Sequence, residues 1–199
     1  MKLFTYIILA ALTCIACENE GQVETTTTTP VSSTKYSMNF KTYTVNNVNL
    51  FKGPSGNSIT ADESYIQNYW SLYKESSWKK VELDLENMTV KLVADNASDL
   101  KYNISIKQDS VFIKENSNTE YFGNFDKSTS SLKLKRVFKY IKKAPADSSQ
   151  ALFISKTTGF GIANYNNIFP SSTFSGPGNM TNSGDEVFWA NITYNYSSN

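Results

Sequence analysis

The chain has 199 residues, with 19 basic and 18 acidic side chains, two cysteines and no histidine. Near-neutral charge lacks the basic excess that nucleic acid or an anionic lipid surface would call for. The missing histidine excludes Ser-His-Asp and Cys-His nucleophilic sites and His-ligated zinc or haem. The 12 Tyr, 12 Phe and 3 Trp suit strands and a core built by packing, because both cysteines, Cys14 and Cys17, lie near the N-terminus.

Lys2, an apolar run from Leu3 to Ile15 and the small Ala16 have the layout of a secretory signal peptide over residues 1–16. The run is shorter than the ~20 residues a spanning helix needs, and it ends in Glu18-Asn19-Glu20 without a basic stop signal. Ala16 followed by Cys17 resembles the lipobox of bacterial lipoproteins, although Cys14 stands where leucine is usual. The resemblance implies cleavage before Cys17, acylation (palmitate-type) of its thiol, and a lipid-anchored place in the cell envelope, at an outer membrane. Glu18, Glu20 and Glu24 resemble the acidic export signal of Bacteroidetes surface lipoproteins. Residues 17–35 then form a tether. Five consecutive threonines, Thr25 to Thr29, followed by Pro30 and Ser32-Ser33-Thr34, have no apolar surface to bury, which predicts a disordered spacer.

Residues 36–199 read as a single β-rich domain. Tyr36, Met38 and Phe40 alternate with polar residues in a first strand reaching Val45, and a second short strand is expected around Val48, Leu50 and Phe51. Gly53 to Asn57 is a turn cluster. Residues 61–75 form the expected helix, with a capping box from Thr60 to Glu63 and an apolar stripe of Ile66, Tyr69, Trp70 and Tyr73. From Trp78 to Lys139, six alternating segments are separated by polar turns. The last places Leu132, Leu134 and Arg136 in one row against Lys133 and Lys135. Such a run predicts an antiparallel meander forming a barrel or half-barrel, with one amphipathic helix packed on it. A strand is expected over Ala151 to Ser155, a long loop over 157–185, and a closing strand through Phe188, Ala190, Ile192, Tyr194 and Tyr196.

No catalytic, metal or cofactor set is visible. Asp84 with Glu86 and Asp185 with Glu186 are the paired carboxylates that glycosidic chemistry could use, but alternating charge on a meander also describes a solvated sheet face. Gly159-Phe160-Gly161 carries only part of a dinucleotide fingerprint. Asp109-Ser110-Val111 resembles the O-glycosylation motif of exported Bacteroidetes proteins, which would place a glycan on Ser110. The aromatics of the long loop, Phe160, Tyr165, Phe169 and Phe174, form a candidate binding surface. The order of the meander resembles the lipocalin-like domains of Bacteroidetes lipoproteins, without their Gly-X-Trp signature. That resemblance implies a non-catalytic protein with a calyx for a small apolar ligand. The alternative expectation is a surface interaction or structural lipoprotein that contacts a protein or glycan partner.

Overall fold

A computed structural model describes residues 33–145 and 151–198. The expected signal peptide, Cys17 and the expected tether as far as residue 32 lie outside the described residues. Ten strands and two short helices follow in the order β1 (Lys35–Lys52), β2 (Asn57–Thr60), α1 (Glu63–Tyr69), β3 (Lys80–Asp84), β4 (Thr89–Val93), β5 (Leu100–Lys107), β6 (Ser110–Glu115), β7 (Asn118–Asp126), β8 (Ser131–Lys143), β9 (Phe153–Phe160), α2 (Tyr165–Ile168) and β10 (Glu186–Ser197). All pairings are antiparallel, and β10 hydrogen-bonds to both β1 and β8. This double pairing closes eight strands, β10-β1-β3-β4-β5-β6-β7-β8, into a barrel. The meander from β3 to β8 has the six segments expected from the alternation.

The two longest barrel strands after the closure each change partner along their length. The first part of β1, Lys35 to Asn39, pairs with β3, and its last part, Asn49 to Lys52, pairs with β2. The two strands expected at its ends are therefore one strand of 18 residues, bent by register shifts at Phe40/Thr42 and Val45/Asn47. Likewise β8 pairs with β7 through residues 131–134 and with β9 through residues 136–143. Bending at β7 uses Gly123, at φ +159°, where a Cβ would stand 2.2 Å from the Lys133 carbonyl oxygen.

Tight turns set the registers. Gln108-Asp109 joins β5 to β6 and Asn116-Ser117 joins β6 to β7, with Gln108 and Asn116 at positive φ. Asp126 accepts from the amides of Ser128 and Thr129 in the β7–β8 turn.

Inward rows fill the barrel. Met38, Val81, Leu83, Val90, Leu92, Ile104, Val111, Ile113, Phe122, Leu132 and Leu134 are buried in one cluster. An eight-stranded barrel is about wide enough for side chains to meet across it, and here they do. Phe160 stacks on Trp78 at 5.5 Å and also touches Phe122 and Tyr102. The calyx expected from the lipocalin-like resemblance is thus occupied by side chains at this level.

Helix α1 is shorter than the 61–75 segment read from the sequence, and its cap is different. Asp62 is the N-cap, accepting from the Ser64 amide at 2.8 Å, while Thr60 ends β2 opposite Asn49. Glu63 accepts hydrogen bonds from the Tyr43 and Tyr73 phenols instead of closing a capping box. Past Trp70 the chain continues in i to i+3 turns, from the Tyr73 amide to the Trp70 carbonyl and from Glu75 to Leu72. The stripe still faces the core, with Ile66 and Tyr73 buried and Tyr69 and Trp70 packed against it.

Candidate functional site

Strand β10 decides where surfaces are available. Its even row, Phe188, Ala190, Ile192, Tyr194 and Tyr196, joins the barrel core. Its odd row faces a second cluster in which Val187 and Trp189 meet Ile141, Ala163, Ile168, Phe169, Phe174 and Met180. Phe51 stacks on Trp189 at 5.6 Å and meets Phe169 edge-on at 5.3 Å. Asn191 closes the layer by a reciprocal pair of 2.7 Å hydrogen bonds with the Ala163 backbone. The long loop is therefore a packed layer with its own core.

This placement corrects the candidate binding surface. Phe169 and Phe174 are buried, and Phe160 belongs to β9 and is half-buried against the core residues Trp78 and Phe122. Of the four aromatics, Tyr165 alone is exposed, and its ring still leans on Phe51 and Phe169. The regularity of β10 hides this arrangement, because a period of two is equally consistent with one buried face or two.

The paired carboxylates have structural partners. Asp84 accepts from the Glu86 and Asn87 amides in the β3–β4 turn, and these bonds, led by those from Asn87, hold its carboxyl below the ordinary value. Buried Asp185 accepts from the amides of Ala144 and Asn182, tying the end of β8 to the loop. Glu186 accepts from the Tyr69 phenol at 2.6 Å. Ser110 opens β6, half-buried, with its hydroxyl accepting from Asn124 at 3.4 Å. Among the described residues, no group of three or more His, Cys, Asp or Glu is placed to hold a metal.

A groove of about 430 Å³ opens between the segment that follows α1 and the inward faces of β8 and β9. Trp70, Leu72 and Phe138 supply apolar wall, Arg136, Lys156 and Thr158 supply polar atoms, and the buried Tyr194 backs the wall. Its wall is held in place by β10. The Tyr194 hydroxyl donates to the Tyr73 carbonyl at 2.7 Å, and the Tyr196 hydroxyl donates to the Trp78 carbonyl at 2.9 Å. Ser76 hydrogen-bonds to the Tyr196 hydroxyl and accepts from the Trp78 amide. These bonds give a physical reason for tyrosine at both positions, since buried phenols need polar partners.

Burial pushes the Tyr194 phenol up to about 12, with nearby Arg136 opposing the rise. Tyr196 is raised by burial, and Tyr69 and Tyr73 by burial and then by their carboxylate partners Glu186 and Glu63. No family model, known protein or solved structure matched the chain in comparison. The fold and the groove therefore define the class: an eight-stranded antiparallel barrel with a packed core and a small-molecule-sized groove between the segment after α1 and inward-facing residues of β8 and β10.

Proposed function

We propose that this domain is a non-catalytic binding protein that holds a small, largely apolar ligand in the groove bounded by Trp70, Leu72 and Phe138. The observation that carries the reading is the groove itself. About 430 Å³ falls in the range of small-ligand sites, and apolar walls with a few convergent polar groups are their usual lining. The packed core moves the expected binding place from an open calyx to this groove, where the segment after α1 meets inward-facing residues of β8 and β10. For the whole chain, the signal-peptide pattern and Cys17 support export and lipid anchoring at the cell envelope.

The test is titration of the purified protein with the neutral apolar dye N-phenyl-naphthylamine, followed by dye fluorescence. Saturable binding of one dye per chain is expected. Leu72 is 72 % exposed, so Leu72→Asp leaves the fold intact and weakens the dye by roughly tenfold through lost apolar contact and an added charge. Non-saturable dye uptake, or uptake indifferent to Leu72→Asp, overturns the assignment. Intact mass of the membrane-extracted protein checks the anchor, with an acyl increment expected that disappears in Cys17→Ala.

One observation favours a second reading, an interaction protein. Strand β9 is an edge of the sheet and begins at an apolar run in which Leu152, Phe153 and Ile154 are exposed. Unpaired apolar edges accept an added strand from a partner.

A further inference from the structure

Arg136 occupies an inward position on β8, in the row of Leu132, Leu134 and Phe138. Its guanidinium lies 4.7 Å from the centre of the Trp78 ring and 5.4 Å from that of Phe138. Its hydrogen-bond partners are neutral hydroxyls, that of Thr158, 3.1 Å from Nη2, and the Tyr194 phenol, and its Nε is buried with no partner. The same groove holds a second cation, Lys156, whose Nζ stands 5.3 Å from the Trp70 ring centre. Neither cation has a carboxylate partner among the described residues. Glu75, the acid among the groove's lining residues, pairs with Lys79 at 3.9 Å instead.

A cation set into an apolar row is costly unless something compensates it. Two aromatic faces and neutral hydroxyls replace only part of the lost hydration. A carboxylate would supply the rest, because its two oxygens match the planar fork of a guanidinium. We propose that the groove's ligand is an anionic amphiphile, a carboxylate with an apolar tail, whose carboxylate is received by Arg136 while its tail lies against Trp70, Phe138 and Leu72. Lys156 adds a second positive charge at the same end. The inference rests on the groove being the binding site, and it names the chemical class of the ligand. Glu75 at the rim disfavours a more highly charged head.

The experiment is displacement of bound N-phenyl-naphthylamine from the purified protein by decanoate and by decanol. The two share a chain length and differ in charge at mildly alkaline pH. Decanoate is expected to bind at least about tenfold more tightly than decanol, the gap that a charge-assisted hydrogen bond supports. Arg136→Gln should bring the two within about twofold by removing that bond, the ratio of decanoate to decanol affinity in each protein being the readout. Arg136→Lys should retain part of the gap, since it keeps the charge and loses the fork.

Equal binding of decanoate and decanol by the wild type overturns the inference, and so does a full gap in a folded Arg136→Gln. If Arg136→Gln is unfolded by circular dichroism, the wild-type comparison decides alone, with a gap that narrows as salt is raised as the supporting result. Dye and decanol binding without a decanoate advantage leaves the groove assignment standing and removes only the carboxylate. Absence of binding by all three removes both.

Discussion

Tyrosine is where single residues matter most in this protein. Tyr194 and Tyr196 belong to the even row of β10, and phenylalanine would fill the same space. Their hydroxyls, however, hold the backbone at Tyr73 and Trp78 and so shape the groove wall. Burial raises the phenols of Tyr69, Tyr73, Tyr194 and Tyr196 above the ordinary value of 10.0. A group whose folded value is raised binds its proton more tightly in the native state than in the unfolded one. Its stabilisation is fully present below about pH 10 and is lost as pH rises through the folded value. The protein should therefore lose stability steeply above roughly pH 10. Urea midpoints measured from neutral to alkaline pH should fall together with the appearance of phenolate absorbance. A midpoint that stays flat while phenolate appears would contradict the buried assignment.

At the scale of elements, the 161–185 segment departs furthest from its sequence reading. A stretch rich in Gly, Asn, Ser and Pro reads as a loop, and it is one by hydrogen bonding. It holds only the four-residue α2 and one short 3-10 turn, Pro177–Asn179. Yet it buries Phe169, Phe174 and Met180 on the outward face of β10. Truncating a buried aromatic costs about 3–5 kcal/mol, whereas truncating one on a free loop costs almost nothing. Phe169→Ala is expected in the first class, and a urea unfolding series measures it. A change below about 1 kcal/mol, the scale of surface substitutions, would mean that this layer is not a core. Helix α1 teaches a smaller version of the same lesson. Its stripe was legible because i to i+3 turns past Trp70 preserve the inward spacing, while its end and its cap were set by competing partners for Thr60, Glu63 and the Tyr73 carbonyl.

For the molecule as a whole, β10 is the closing element. The last strand in the chain pairs along its length with both β1 and β8 and is covered on both faces. Amide exchange should accordingly be slowest in β10, where opening requires unfolding of the barrel. It should be fastest in β2, an edge strand exposed at all four residues, and mass spectrometry of exchanged peptides reads the order directly. Equal protection of the two strands would argue against closure. The meander, its turns and the alternating row of Leu132, Leu134 and Arg136 were legible in the sequence, because alternation with a period of two and turn residues act locally. Local pattern could not say that the barrel closes, that one strand spans residues 35 to 52, or that both faces of β10 are covered. Those outcomes depend on pairing between segments far apart in the chain. The groove belongs to the same category: its residues come from α1, the segment after it, β8, β9 and β10, and each looks ordinary in its own stretch. The sequence by itself determined the alternating rows of the meander strands. Only tertiary structure decided what those rows meet, because burial and charge compensation depend on neighbours in space.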